Sequence, residues 1–363
     1  MEFIGDVFKQ NKFYGNGKYT NLCTRFIEKR LSAQKVLLTD SCTSALEIVA
    51  LLLRDFDLEQ EIILPSYTFS STASAFARAG FKLVFAEIDP KTMMLDLDDA
   101  KRKITRKTIA IVSVHYAGQC CNIEELMSLC SENNLKLVED AAQAFDSYLN
   151  NKALGTYGDF GCFSFHETKN IHAGLSGALV IGDKKYNDRA THIWERGTNR
   201  QEVLKGIVDK YSWVEIGGSF YPTELQAAFL YAQLQGLDQN KAKRKIIYDA
   251  YLNSFKLLKS QKKLYFPIYS DVYESNYHAF YIQLATEDLC DNVREYLLEN
   301  QVSAYIGYVP LHSSRVGMSM GYKPDSLPIT EECSKRVLRL PFHNNLTEDD
   351  VNYIATLVAK CLG

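Results

Sequence analysis

The sequence predicts an α/β fold: a large domain on a mostly parallel sheet, followed by a smaller α+β domain. Three observations carry it. Short, almost wholly apolar runs at residues 35–40 (KVLLTD), 61–65 (EIILP), 82–88 (KLVFAEI), 108–115 (TIAIVSVH) and 135–140 (LKLVED) alternate with segments that suit helices. Strands apolar on both faces and separated by helices belong to parallel sheets covered on both sides. The 363 residues exceed the usual size of a single core. Beyond about residue 250 the pattern changes to shorter, mixed elements, which divides the chain into a large domain over 1–245, with an amino-terminal arm, and a small one over 246–363.

Taken in order, residues 1–34 read as an arm and a helix from about Tyr19 to Leu31. KVLLTD, SCTS and ALEIVALLLRDF then read as strand, tight turn and helix. Residues 41–44 therefore sit where a helix begins, with free backbone N–H groups and the positive end of the helix dipole available to an anion. The plainer reading is that Asp40 or Ser41 simply caps the helix. EIILP leads into Pro65-Ser-Tyr-Thr-Phe69, residues 122–132 suit a helix, and LKLVED leaves the Asp140 carboxylate where a buried strand stops. Ligands of such sheets bind beyond the carboxyl ends of the strands. Residues 158–183 place Lys169 between two strand-like runs, 162–165 and 178–181. A loop over about 197–222 precedes an apolar-faced helix over 223–237 with Leu225, Ala228, Phe229 and Ala232 at helical spacing. The last part reads as a strand (YHAFYIQL), a helix (VREYLLENQV), a strand (VSAYIGYVPL), the run VLRLPF and a terminal helix over 348–361.

Totals narrow the class. With 46% hydrophobic residues, 22 Tyr and 19 Phe, the chain can bury a large core. A net charge of −3, from 41 basic and 44 acidic residues, argues for no nucleic acid and no membrane as partner. Nine scattered cysteines, never in a C-x-x-C spacing, suit reduced thiols rather than a disulfide framework or a zinc site, and no metal is expected. No signal peptide and no membrane-length apolar run are legible, so the expectation is a soluble cytoplasmic protein.

Four residue types suggest chemistry. A lysine pinned between buried strands is a candidate nucleophile, because burial lowers its pKa and Schiff-base formation removes its charge. A carboxylate at a strand end can keep a pyridine nitrogen protonated, and a protonated pyridine ring is the electron sink of pyridoxal chemistry. Ser164 can offer a hydroxyl to a phosphate, and Phe69 can stack on a ring. Each has a plainer reading: a solvated lysine, an Asp that caps a turn, a core Phe.

The combination is more specific than its parts. Ser164-Phe-His166-Glu-Thr-Lys169-Asn170, preceded by Glu139-Asp140-Ala-Ala-Gln143 and Ser41-Cys-Thr43-Ser44 and followed by Glu224-Leu-Gln226-Ala-Ala228, resembles the DegT/DnrJ/EryC1/StrS family of sugar aminotransferases. The likeness runs from about Gly15 to the terminal helix. It is strongest to members acting on dTDP-linked 4-keto-6-deoxy sugars, through KVLLTDSCTSALE, FSFHETKN, ERGTNR (195–200), VDKYSW (208–213) and VPLH (309–312).

The resemblance implies a fold-type I, aspartate aminotransferase-like transferase that uses pyridoxal 5'-phosphate. Lys169 would hold the cofactor covalently and shuttle the proton. Asp140 would pair with the ring nitrogen, Gln143 would reach the ring hydroxyl, and Phe69 would cover the ring. Thr43, Ser44 and Ser164 would hold the phosphate, and Ser219 would reach the phosphate of a neighbouring subunit in a homodimer with shared active sites. Arg196, Arg200, Lys210, Tyr308 and His312 would meet the sugar nucleotide. The reaction implied is amino transfer from L-glutamate to the keto carbon, C4 in this reading, of a dTDP-linked 4-keto-6-deoxyhexose for cell-surface polysaccharide such as lipopolysaccharide O-antigen. The alternatives are a C3-specific relative and a cofactor-binding, non-catalytic regulator. A dehydrating relative would carry His where this chain has Lys169. One departure stands out: Gly174-Leu175-Ser176-Gly177 replaces the usual Gly-Glu-Gly-Gly.

Overall fold

The computed structural model describes residues 2–267 and 272–363. Its strands up to residue 181 are β1 (Val36–Thr39), β2 (Glu61–Pro65), β3 (Lys82–Ala86), β4 (Thr108–Val114), β5 (Lys136–Asp140), β6 (Tyr148–Leu149), β7 (Lys152–Ala153), β8 (Phe160–Ser164) and β9 (Gly177–Ile181). Seven of them form one sheet in the order β1-β9-β8-β5-β4-β2-β3. Pairing is parallel from β3 through β8, while β9 runs antiparallel to both β8 and β1.

Side chains along these strands alternate between two cores, as the period of two requires. Leu37, Ile62, Leu64, Val112, Val138, Phe160, Cys162 and Leu179 pack under the helices Cys42–Leu53 and Ser70–Arg78. Val36, Leu38, Phe163, Ala178 and Val180 face the helices Lys18–Leu31 and Glu224–Gln235 on the other side, and Ile63, Ile111 and Leu137 face Ile123–Glu132. Burial on both faces explains why the strands read as unbroken apolar runs.

The register then sets the site. Asp140 pairs with Cys162, and Gly177 pairs with both Ser164 and Thr39. The carboxyl ends of β1, β5 and β8 therefore meet at one edge, where the helix from Cys42 starts. A Cβ on Gly177 would lie 2.4 Å from the Ser41 carbonyl carbon and 2.5 Å from the Cys42 nitrogen, so only glycine lets β9 approach that helix so closely.

The amino-terminal arm contains a helix, Glu2–Gln10, whose Phe3 packs edge-on against Tyr231 at 5.2 Å. Behind it, Glu224 accepts from the backbone N–H groups of Gly17, Tyr19 and Thr20 and from the Thr20 hydroxyl, which fastens the chain entry to the helix Glu224–Gln235. The boundary near 245 falls inside one continuous helix, Leu237–Ser260. Its start packs in the large core through Leu237, while Ile247, Tyr248, Tyr251 and Phe255 belong to the carboxyl-terminal core.

That second core is built on β11 (Tyr281–Gln283), β12 (Tyr305–Ile306) and β13 (Val337–Arg339), an antiparallel sheet in the order β11-β13-β12, with β10 (Tyr273–Glu274) pairing back to β6. The helices Glu287–Glu299 and Glu348–Leu362 cover it. The strand expected over VSAYIGYVPL shortens to Tyr305–Ile306. After it Gly307 passes so close to Tyr67 that a Cβ there would sit 1.6 Å from the Tyr67 hydroxyl, and Leu311 N donates to Ser66 O at 2.9 Å. Contact with the large core takes the backbone out of the sheet.

Candidate active site

At the carboxyl edge of the sheet lies a cavity of about 490 Å³ lined by Ser41, Cys42, Thr43, Phe69, Thr72, Asp140, Gln143, Ser164, Lys169, Leu175, His278, Tyr308 and Arg339, among others. Asp140, the last residue of β5, is buried at its floor. Its Oδ2 accepts from the Thr72 hydroxyl at 2.7 Å and its Oδ1 from Ala142 N at 3.1 Å. Thr72 is braced in turn by Thr68 at 2.9 Å. Each carboxylate oxygen keeps lone-pair capacity for a donor in the cavity. The neighbouring Glu139 is spent on architecture: it accepts from Gly155, Tyr157 and Gly158 N–H groups and from His115 Nε2 at 2.8 Å.

Ser41 caps the helix Cys42–Leu53 in an extended conformation (φ −159°), its Oγ accepting from Ser44 N at 3.0 Å. Thr43 lines the cavity and donates to Ser71 Oγ at 2.8 Å. Ser44, one residue on, is turned inward and its Oγ accepts from Ser41 at 3.0 Å. Ser44 does not line the cavity; Ser41, Thr43 and, across from them, Ser164 offer hydroxyls and the positive end of a helix to one anion.

Lys169 sits on the loop joining β8 to β9. That loop is held by Phe165 N to Ser176 O, Ala173 N to Phe165 O and Lys169 N to His166 O. Asn170 anchors it further: Nδ2 donates to Asn276 O at 2.6 Å, Oδ1 meets His278 Nδ1 at 3.0 Å, and its carbonyl accepts from Asn240. The Lys169 amine has no hydrogen-bond or ion-pair partner among the described residues. Burial holds its pKa below the usual lysine value; the nearby Cys42 and Asp140 only partly offset this. Lowering the pKa of a base brings its neutral, nucleophilic form to lower pH. The rate at which cofactor-free protein captures pyridoxal 5'-phosphate covalently is therefore expected to rise with pH through a midpoint below 10.5, measured by stopped-flow absorbance.

The wall from the carboxyl-terminal part of the chain carries His278, Tyr308 and Arg339. Gln143 Nε2 donates to the Tyr308 hydroxyl at 2.8 Å, and its Oε1 accepts from Ala117 N at 2.8 Å. Burial pushes Tyr308 up to about 12, so it stays a neutral phenol able to donate. Burial, then the positive Lys169, Arg339 and Arg244, hold His278 well below the usual histidine range, so its ring is neutral.

Seven of the residues singled out from sequence thus share one cavity: Thr43, Phe69, Asp140, Gln143, Ser164, Lys169 and Tyr308. Phe69, 59% exposed, stands at its mouth. Ser219, Arg196, Arg200 and Lys210 do not line it; they lie on the segment after Trp194, where Arg200 pairs with Glu195 at 2.6 Å and Arg196 packs on Tyr14 and Tyr221.

His312 corrects an expectation. It is fully buried outside the cavity, its Nδ1 and N–H meeting Ser66 Oγ at 2.7 and 3.0 Å and its Nε2 meeting Pro324 O at 3.2 Å. A saturated, buried imidazole has nothing left for a sugar. His312→Ala is expected to cost about 2 kcal/mol of stability in urea unfolding while leaving KM within roughly twofold. A raised sugar KM at unchanged stability would restore the substrate role.

In the departing segment, Leu175 lies half-exposed on the cavity, held through its carbonyl by Gln226 Nε2 at 2.9 Å, and Ser176 is buried with its hydroxyl on Thr39 O at 2.9 Å. Sequence reading missed Thr72, His278 and Arg339. Their only signals were a hydroxyl-rich run after β2 and single polar residues inside the apolar runs YHAFYIQL and VLRLPF.

The donor set fits pyridoxal 5'-phosphate: an unpartnered amine, a buried carboxylate, and hydroxyls at a helix start around a cavity able to hold a ring. Fold and donor set define a fold-type I pyridoxal-phosphate enzyme. A model of the DegT/DnrJ/EryC1/StrS aminotransferase family matches residues 2–359. A dTDP-4-dehydro-2,3,6-trideoxy-D-glucose 4-aminotransferase from Saccharopolyspora spinosa is 28% identical, over 100% of this chain and 94% of that protein. A dTDP-3-amino-3,6-dideoxy-alpha-D-galactopyranose transaminase from Aneurinibacillus thermoaerophilus is also 28% identical, over 87% of this chain and 84% of that protein. The crystal structure of the aminotransferase TlmJ from Streptoalloteichus hindustanus superposes with a TM-score of 0.90 at 26% identity, covering 99% of this chain and 95% of that one.

The chain belongs to the DegT/DnrJ/EryC1/StrS aminotransferase family. It is a pyridoxal-phosphate-dependent sugar aminotransferase. Among the described residues no helix is long and apolar enough to cross a membrane.

Proposed function

We propose that this enzyme moves an amino group from L-glutamate to C4 of a dTDP-linked 4-keto-6-deoxyhexose, supplying an amino sugar for cell-surface polysaccharide. The observation that carries the transfer chemistry is the unpartnered Lys169 amine sharing one cavity with the Asp140 carboxylate. The choice of C4 and of a dTDP sugar is supported by the run of motifs around Lys169 and by the 4-aminotransferase that this chain matches from end to end.

Bound pyridoxal 5'-phosphate supplies the electron sink and carries the amine between the two substrates. Lys169 moves the proton at the reacting carbon, alternating between base and acid. Asp140 keeps a positive charge favourable at the cavity floor. Gln143 and Tyr308 orient the ring side. Phe69 and Leu175 close the mouth with apolar surface. Glutamate leaves as 2-oxoglutarate, consuming one water, and the sugar's keto oxygen departs as water, so the atoms balance.

The segment carrying Arg196, Arg200, Lys210 and Ser219 also exposes Ile207, Tyr211, Trp213, Val214 and Ile216. A single chain rarely leaves such a patch uncovered. It supports a homodimer in which these residues complete the partner's site, with the cations meeting the pyrophosphate. The decisive experiment incubates purified protein with pyridoxal 5'-phosphate, L-glutamate and dTDP-4-keto-6-deoxyglucose, and examines the product by mass spectrometry and NMR. A 4-amino-4,6-dideoxyhexose product is expected; an unreacted sugar, or amination at C3 of the 3-keto isomer alone, overturns the C4 assignment.

A further inference from the structure

Four hydrocarbon side chains larger than alanine line the active-site cavity among the described residues. Leu46 and Val114 are buried in its wall, whereas Phe69 and Leu175 stand 59% and 50% exposed at its mouth. Leu175 is firmly held there. Gly174 turns the chain ahead of it with φ +74°, and the Gly174 carbonyl accepts from Glu167 N at 2.9 Å. The Leu175 carbonyl accepts from Gln226 Nε2 at 2.9 Å, and the other end of that amide is also engaged, its Oε1 accepting from Thr223 N at 3.0 Å and Thr223 Oγ1 at 2.9 Å where the helix Glu224–Gln235 begins. Ser176 then donates its hydroxyl to Thr39 O, while its carbonyl accepts from Phe165 N at 2.8 Å. Three consecutive backbones are thus tied to different parts of the fold, and the isobutyl group between them is presented to the cavity. This is also where the chain departs from the usual Gly-Glu-Gly-Gly. Leucine offers neither donor nor acceptor. A hydroxyl pressed against it loses water and gains no partner, whereas a methyl group gains burial.

We propose that Leu175 determines which sugar the enzyme accepts: its side chain packs on C6 of the hexose and favours a methyl group there over a hydroxymethyl group. This rests on the aminotransferase reading above and adds to it the residue that tells a 6-deoxy sugar from its 6-hydroxylated counterpart. The reacting C4 faces Lys169, C6 is two bonds from C4, and Lys169 and Leu175 line the same cavity from one loop. An enclosed apolar site rejects an added hydroxyl by about 100-fold, and a wall open on one side rejects it by less. Wild-type enzyme should therefore favour the 6-deoxy sugar about 30-fold in kcat/KM.

The preference is measured in the reverse half-reaction, as the change in cofactor absorbance when loaded protein meets either of two dTDP-linked 4-amino-4-deoxyhexoses of one configuration, with and without the C6 hydroxyl. The readout is the ratio of the two kcat/KM values, which a general loss of activity does not move. Leu175→Gln, close to leucine in volume but able to hydrogen-bond, should bring the ratio to within about fivefold. Leu175→Met, which keeps an apolar contact, should retain most of the preference. Calorimetric binding of dTDP-6-deoxyglucose and dTDP-glucose, which carry neither an amine nor a ketone at C4, should rank the three proteins in the same order without turnover.

A wild-type ratio near one, or a ratio unchanged in Leu175→Gln, would overturn the proposal. So would a Gln variant that shifts to a smaller oligomer and loses both sugars equally, since Leu175 would then be covered by a second copy of the chain rather than by substrate. Failure of the wild type to react with L-glutamate and with both amino sugars would instead sink the aminotransferase reading itself, and the binding comparison would still decide whether Leu175 reads C6.

Discussion

Lys169→Ala is expected to abolish covalent cofactor attachment and to lower transamination on the order of 10⁴-fold. Lys169 is the only lysine lining the cavity among the described residues, so no second amine stands ready to replace it. The variant removes one side chain from a loop whose geometry is set by backbone hydrogen bonds and by Asn170, so the fold should persist. Thr43, Ser164 and Asp140 remain to hold the cofactor without a covalent bond. The measurement is borohydride reduction of loaded protein followed by peptide mass mapping, alongside single-turnover kinetics. Wild type should carry the reduced cofactor on the peptide containing Lys169, and the variant should carry none while still binding cofactor reversibly. Added methylamine should restore a small part of the rate by supplying the missing base. A labelled lysine elsewhere would show that the nucleophile had been misplaced.

Much of this site was legible because it is made at strand ends. β1, β5 and β8 are buried on both faces, so they announce themselves as apolar runs. The residues at or just past their carboxyl ends, Ser41–Ser44, Asp140–Gln143 and the loop to Lys169, face the ligand side of the sheet. The contributors from the carboxyl-terminal part of the chain were harder to see. His278 and Arg339 reach the cavity that holds Lys169 only through contacts separated by more than a hundred residues, which no local pattern reports. β12 ended early for the same reason, because Gly307 answers to Tyr67, 240 residues earlier in the chain. His312 stays out of the cavity because the Ser66 hydroxyl and the Pro324 carbonyl occupy both its ring nitrogens, partners no local pattern reports. Arg196, Arg200, Lys210 and Ser219 sit outside their own chain's cavity, so their reading depends on a second copy rather than on this chain's fold.

Asp140→Ala is expected to lower kcat/KM roughly 10³-fold, while leaving the covalent bond to Lys169 intact. The size comes from the charge that Asp140 alone provides. Its two oxygens are fixed by Thr72 and Ala142 N, and Thr72 is itself fixed by Thr68, so the negative charge is oriented in advance and costs no rearrangement when positive charge develops above it. Glu139 cannot substitute, because β5 points it to the opposite face and four donors occupy it. Asp140→Asn keeps the shape and both neighbours, since the Thr72 hydroxyl can accept as well as donate, so it separates lost charge from lost packing. The two variants should fall by similar factors if charge is what matters; a much milder Asn variant would assign the effect to packing. Reconstituting Asp140→Ala with cofactor methylated on the ring nitrogen tests the cause directly. That ring is cationic without any help from the protein, and truncation to alanine leaves room for the methyl group, so part of the lost rate should return. No recovery, with the methylated cofactor shown to be bound, would mean that Asp140 acts on something other than the charge of the ring.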